Sequence, residues 1–161
     1  MFIRTASESD LPAIRSLLSE TWHDTYDALF GRETVVALIA EWHSVPALRQ
    51  KLVQPNGEFI VADDGETIAG MGFAAASDDG KVLAIHQLYV RPALQRRGIG
   101  GMLLDELLNA FPDVELCRLE VARGNERAVE FYRGFGFEVV GEKDTDPPHL
   151  LMERPLGEGA Q

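Results

Sequence analysis

The chain has a single cysteine, Cys117, in 161 residues. One thiol closes no internal disulfide, so the fold must be held by a packed core. Basic residues are also scarce: 15 Lys and Arg stand against 26 Asp and Glu, a formal charge of −11. That balance excludes a general nucleic-acid or anionic-membrane surface, which needs many phosphate-neutralising cations, and no nucleic-acid or membrane partner is expected. No apolar run approaches the roughly 20 residues of a membrane-spanning helix, and the opening "MFIRTASESD" lacks the apolar stretch of a secretory signal. With the lone cysteine, these absences lead us to expect a cytoplasmic protein. The histidines are too scattered for a His-x-x-x-His pair, and there is no second cysteine, so no metal site is expected. One further absence is local. Between Val82 and Leu104 there is no Asp or Glu, while Arg91, Arg96 and Arg97 fall close together. In so acidic a chain, this marks a confined anion site.

Hydrophobic residues make up 45% of the chain and charged residues 25%, the balance of a globular protein with one core. A single domain over 1–156 is expected, with "GEGAQ" at 157–161 as a loose tail. "MFIRTA" reads as a strand. "SESDLP" reads as a helix start with Ser9 or Asp10 as cap and Pro12 in the first turn. Leu11, Ile14, Leu17, Leu18 and Trp22 then recur at helical spacing. A second helix is expected over 33–52, with Val36, Leu38, Ile39 and Trp42 as apolar members and Pro46 as a break. From Glu58 to Val90 the chain reads as three strands joined by turns at Asp64-Gly65 and Asp79-Gly80, an antiparallel meander. Ile99, Met102, Leu103, Leu107 and Ala110 form one face of a helix over 97–111. "VELCRLEVA" is a strand and "NERAVEFYRGFG" a short helix closed by Gly134 or Gly136. "FEVVGEK" and "HLLMERPL" supply two more strands around "DTDPP".

The turn "QRRGIGG" opens a helix. A helix N-terminus exposes about four unpaired N–H groups and roughly half a positive charge, which suits an anion. Gly98, Gly100 and Gly101 carry no Cβ to hold a phosphate away, and Arg96 and Arg97 add charge. A tight turn with solvated arginines is the competing reading. Two phosphate motifs fail on residues. A P-loop needs Lys-Ser or Lys-Thr after its second glycine, and the dinucleotide fingerprint needs a glycine where Leu103 stands.

Gln95-Arg96-Arg97-Gly98-Ile99-Gly100, preceded by the strand "LYV", resembles the Q/R-x-x-G-x-G/A acyl-CoA motif of the Gcn5-related N-acetyltransferase (GNAT) superfamily. A second segment is similar too: "LCRLEVARGN" runs into "NERAVEFYRGFGF", the family's Asn-containing, Tyr-bearing helix. The elements arrive in the family's order over nearly the whole chain. The resemblance implies an α+β fold with a central mixed sheet of six to seven strands and about four helices. It implies acetyl-CoA as donor, with the pyrophosphate held by Gln95, Arg96, Arg97, Gly98, Ile99, Gly100 and Gly101. The pantetheine arm would lie along Leu88, Tyr89 and Val90 and reach Asn125. The acceptor would be a small-molecule or peptide amine, while monomer and homodimer both stay open.

Direct transfer from a thioester to an amine needs a neutral amine, a polarised carbonyl and a proton for the departing thiolate. Tyr132 matches the family's general acid, and it lies seven residues from Asn125, two helical turns along one face. A backbone N–H near Leu88 suits the carbonyl. The base is open: where some members carry a glutamate, this chain has His86, an imidazole able to accept a proton at neutral pH. Glu120 and a water relay are the alternatives. Cys117 sits in an alternating apolar strand and reads as a core residue. Trp22, His23 and Tyr26 fall where the family lines its acceptor site, and Trp22 and Tyr26 are the candidates for substrate contact. A non-catalytic acyl-CoA sensor or interaction module of the same fold is the alternative function.

Overall fold

The computed structural model describes residues 1–145 and 147–157. Of the tail expected at 157–161, only Gly157 is among them, and Asp146 of the "DTDPP" loop also lies outside. Strand β1 (Phe2–Thr5) leads through a 3-10 turn at Glu8–Asp10 into helix α1 (Leu11–Phe30). Asp10 fixes this corner by reaching backwards: its carboxylate accepts from Ser7 N at 2.8 Å and from both Arg4 guanidinium nitrogens at 2.8 and 2.9 Å. The expected capping residue is therefore Asp10, bonded to the turn before the helix and to β1. The α1 stripe Leu11, Ile14, Leu17, Leu18 and Trp22 is buried, as its spacing predicts.

The helical stretch expected over 33–52 with a break at Pro46 is two helices, α2 (Arg32–Trp42) and α3 (Val45–Leu52), divided at His43–Ser44, and the described residues hold five α-helices. Proline lacks an N–H and clashes with the preceding turn, so Pro46 is tolerated only where a helix begins. It stands in the first turn of α3 behind Ser44, whose Oγ accepts from Ala47 N at 3.2 Å. On α2 the buried residues are Val35 and Ile39, whereas Val36 and Trp42 are 48% and 44% exposed.

Strands β2 (Gly57–Asp63), β3 (Ile68–Ala76) and β4 (Val82–Val90) form the antiparallel meander. Gly65 and Gly80 take the positive φ values, 97° and 72°, that these turns require. Helix α4 (Ile99–Asn109) then carries the chain to β5 (Leu116–Ala122), parallel to β4. After α5 (Glu126–Gly134), strands β6 (Glu138–Lys143) and β7 (His149–Pro155) complete a seven-stranded mixed sheet in the order β1-β2-β3-β4-β5-β7-β6. Its two faces carry separate cores. Ile60, Leu83, Ile85 and Leu119 pack with Leu103 and Leu107 of α4 and Tyr132 of α5. Phe59, Val61, Met71 and Phe73 pack with Leu11, Ile14 and Leu18 of α1 and Leu48 of α3.

The sheet opens at its centre. Strands β4 and β5 pair from Val82↔Leu116 to Ile85↔Leu119, and the pairing stops there although both strands continue. At the same level the β3–β4 register shifts: Phe73 faces Gln87 while Ala74 faces Ile85, which leaves His86 as the extra residue of a β-bulge. A bulge bends the strand that carries it. Here the bend coincides with the parting of β4 from β5.

Candidate active site

The opening exposes backbone of β4. Arg91 N donates to Ala69 O at 2.9 Å. By antiparallel alternation, Tyr89 and Gln87 then form the bonded pairs with β3, while the N–H and C=O groups of Leu88 and Val90 turn toward the gap. Val90 O accepts from Gln95 Nε2 at 3.0 Å, which ties the end of the strand to the glycine turn. The side chains of Leu88 and Val90 pack on the α4 face, and the ring of Tyr89 packs on the α1 face.

The turn itself is a concave run of N–H groups. Arg96 and Gly98 take left-handed backbone, φ 65° and 83°, and Gly98 caps α4 with no side chain accepting the first-turn donors. Alternation of left-handed and ordinary residues at a helix start makes an anion nest. Arg96 and Arg97 are exposed beside it, whereas the Ile99 side chain is buried in the core beneath. The anchoring duties differ from the sequence expectation in two respects. Arg91 is a brace and not part of the cluster: its Nε donates to Ile68 O at 2.8 Å and its guanidinium pairs with Glu20 on α1 at 2.7 Å. Gly100 and Gly101 are small because α5 comes close. A Cβ at Gly100 would lie 3.1 Å from the Phe131 ring, and one at Gly101 would lie 2.8 Å from the Phe135 ring. Of the three glycines, only Gly98 owes its identity to the turn.

On the same face, Asn125 caps α5, its Oδ1 accepting from Ala128 N at 3.3 Å while its Nδ2 donates to the Tyr26 hydroxyl at 3.2 Å. This bond joins α5 to α1 past the end of β5. Tyr132, one turn from the end of α5, is buried against Phe131 and Phe137, with ring centroids 5.1 and 5.5 Å away. Burial raises its pKa, and the neighbouring Tyr26 and Cys117 push the same way, so the phenol keeps its proton at neutral pH.

On the α1 face lies a cleft of about 770 Å³, walled by Trp22 and Tyr26 of α1, Trp42 of α2, Lys51 of α3, and His86 and Glu120 of the parted strands. Both candidate acceptor residues of α1 are thus in the wall, although they are also buried core aromatics. His23 is elsewhere engaged, its Nδ1 2.8 Å from Asp27. The bulged His86 projects into the cleft with its ring stacked on Phe73 at 5.7 Å. Its pKa is lowered by burial first and by the Lys51 charge second, with Glu120 opposing, so it is neutral at pH 7. Glu120 is held by Lys143 at 2.7 Å. Cys117 is fully buried in the opposite core, where burial pushes its thiol up to about 12 and so holds it protonated. Sequence reasoning missed His43, Lys51 and Phe73 as cleft residues. They come from segments far apart in the chain, and no local spacing announces them.

Similarity to known proteins follows the same geometry. A model of the Acetyltransferase (GNAT) family matches residues 11–137. The chain is 29% identical over 160 residues to the peptidyl-lysine N-acetyltransferase YiaC of Escherichia coli, covering 96% of this chain and 97% of that one. It is 28% identical to a spermidine N(1)-acetyltransferase of Thermoplasma acidophilum, over 94% and 95% of the two chains. Among solved structures, the PaiA N-acetyltransferase of Thermoplasma acidophilum in complex with coenzyme A superposes with a TM-score of 0.87 at 27% identity, over 96% of this chain and 98% of that one. Since the family model spans both the glycine turn and the Asn125 to Tyr132 segment, and relatives match from end to end, this chain belongs to the acetyltransferase (GNAT) family and is an acyltransferase.

Proposed function

We propose that the protein transfers the acetyl group of acetyl-CoA directly to a primary amine, with both substrates bound at once across the opening between β4 and β5. The observation that carries this reading is the two-sided opening. One side offers an uncapped helix N-terminus, two exposed arginines and strand backbone released by β5, and the other offers an aromatic-walled cleft. The donor groups suit acetyl-CoA chemically. Backbone N–H groups from Arg97 to Gly101, with the charges of Arg96 and Arg97, would hold the pyrophosphate. The turned-out C=O of Leu88 and N–H of Val90 would pair with the pantetheine amides in the manner of an added strand, and Asn125 flanks that path. Acetyl-CoA supplies the acetyl group as a thioester with a good leaving thiolate.

The residues then divide the work. His86 is the base: as a neutral imidazole at the mouth of the cleft it can take the proton that the amine nitrogen loses as it attacks the thioester carbonyl. Its competitor Glu120 is occupied by Lys143. The Leu88 N–H faces the gap and is the donor for the acetyl oxygen. Tyr132, kept protonated by burial, gives its proton to the departing sulfur. Trp22 and Tyr26 shape the acceptor side. The activities for which these relatives are named, on peptidyl-lysine and on spermidine, both belong to primary amines and support this acceptor class.

Calorimetric titration with acetyl-CoA, followed by CoA release with a panel of amines and N-terminal peptides, tests the proposal. Saturable binding with amine-dependent release is the expected result. Absence of binding at high micromolar acetyl-CoA would overturn it, and binding with neither transfer nor hydrolysis would identify a sensor instead.

A further inference from the structure

The acceptor cleft contains polar groups that no described residue satisfies. Trp22 Nε1, His43 Nδ1 and Gln87 Oε1 are buried and have no hydrogen-bond partner among the described residues. Their residues are 8%, 3% and 8% exposed, and all three belong to the wall of the cleft. A buried polar atom left unpaired costs about 1–3 kcal/mol, so three along one wall need a reason. Beside them stands an uncompensated cation. The Lys51 ammonium lies 4.9 Å from the centroid of the Phe73 ring and, among the described residues, has no carboxylate partner. The cleft carboxylates Glu120 and Glu142 are taken by Lys143 and Arg123.

These groups are contiguous. The Trp22 and His43 rings meet edge to face at 4.9 Å, and the Lys51 charge acts on both His43 and His86. Burial and that charge hold His43 down to about 4, so it faces the cleft uncharged. The wall therefore presents a cation and an indole N–H, beside an imidazole nitrogen able to donate as the matching tautomer. The Phe73 ring carries both Lys51 and His86, and Gln87, next in the chain to His86, adds an amide oxygen as acceptor. In a chain with 11 more negative than positive charges, a patch with this polarity is selective.

We propose that the acceptor is a small amine that also bears a carboxylate, and that Lys51 with Trp22 and His43 reads the carboxylate while Gln87 Oε1 receives an N–H of the amine beside His86. The proposal rests on the acetyl-transfer reading for its reaction, though not for its binding. It separates this cleft from one built for a polyamine, which would meet Lys51 with like charge.

Matched pairs of acceptors provide the test: phenylalanine against phenylalaninamide, and lysine against cadaverine, which lacks the carboxylate. Each is assayed for kcat/KM by CoA release and for direct binding by calorimetry in the presence of CoA. Amidation makes an α-amine less basic and so favours the amide intrinsically, and a preference for the acid has to overcome that bias. Wild type is expected to prefer the carboxylate member by about tenfold or more, the range of one charge-assisted contact. Lys51→Met should erase the preference and Lys51→Glu invert it, in both rate and binding. Equal use of both members, a preference for spermidine or cadaverine, or a ratio untouched by Lys51→Glu would overturn the proposal while leaving acetyl transfer standing. If acetyl-CoA binds but no amine turns over, the transfer reading fails, and the calorimetric ratio still decides whether a carboxylate is recognised.

Discussion

Replacing Tyr132 with phenylalanine removes one oxygen from the centre of the proposed reaction and changes little else. The ring keeps its packing on Phe131 and Phe137, whose centroids lie 5.1 and 5.5 Å away. A volume-conserving change at such a site alters stability by less than about 1.5 kcal/mol. Positioned acids contribute about 10²–10⁴-fold to a rate. A thiol of pKa about 8.5 leaves more readily than an alcohol, which places the expected loss at the low end, about tenfold to a hundredfold, or about 1.4–2.7 kcal/mol of barrier. Affinity for acetyl-CoA should change little, because its proposed anchors are the glycine turn and the β4 backbone. Single-turnover CoA release is the decisive assay, since product release would mask a chemical defect in steady-state rates. Burial raises the Tyr132 pKa above the ordinary tyrosine value, so the wild-type rate should show no loss from its ionisation up to pH 10. An unchanged single-turnover rate in the folded variant would remove Tyr132 as the acid.

The base makes a separate prediction. His86 works only when neutral, and its pKa is lowered, so kcat/KM should hold at pH 7 and fall on acidification through a value below about 6.5. His86→Ala should abolish that limb, and persistence of the limb would exclude His86. Stability has its own acid limb. Arg4 and Ser7 hold the Asp10 carboxyl down to about 2, so its stabilisation is complete above the ordinary aspartate value and is lost as pH falls from about 4 to 2. Asp10→Asn should cost about 2 kcal/mol near neutral pH and flatten the decline of Tm below pH 4, both measurable by calorimetry. Gly101→Ala would set a methyl 2.8 Å from the Phe135 ring. Overpacking of this kind costs about 1–3 kcal/mol, and a Tm equal to wild type would show that α5 yields freely there.

Features that depend on neighbours in the chain were legible in the sequence. The meander followed from two Asp-Gly turns, and the α4 start followed from Gly98. The strand and the glycine turn that follows it were legible because they lie within one stretch of chain, Leu88 to Gly101. Features set by distant neighbours were not. Arg91 looked like part of an anion cluster because Glu20, its partner, is 71 residues away. Gly100 and Gly101 looked like phosphate cradles because the Phe131 and Phe135 rings that exclude a Cβ belong to another helix. The α2–α3 division was legible as a break at Pro46, and its place is set by Ser44, which caps α3 and leaves Pro46 in the first turn of the new helix. The acceptor wall was least legible, since His43, Lys51, Phe73 and Gln87 meet only after the sheet has formed.

In the proposed reaction, strand β4 lets one sheet serve two substrates. Its backbone lies in the plane of the sheet, and once β5 has parted from it the groups of Leu88 and Val90 face the donor path. Its side chains alternate across that plane, Leu88 and Val90 toward α4, Gln87 and Tyr89 toward the acceptor cleft. The bulge at His86 does two things at once: it bends the strand so that the gap opens, and it shifts the pleat by one residue, so that His86, opposite Ile85 by alternation, is joined in the cleft by Gln87 while Leu88 and Val90 return to the α4 side. Base placement and donor access are therefore coupled through one inserted residue. Deleting His86, unlike replacing it, should restore regular β3–β4 register, close the gap against β5 and weaken acetyl-CoA binding, whereas His86→Ala should weaken only the proton transfer.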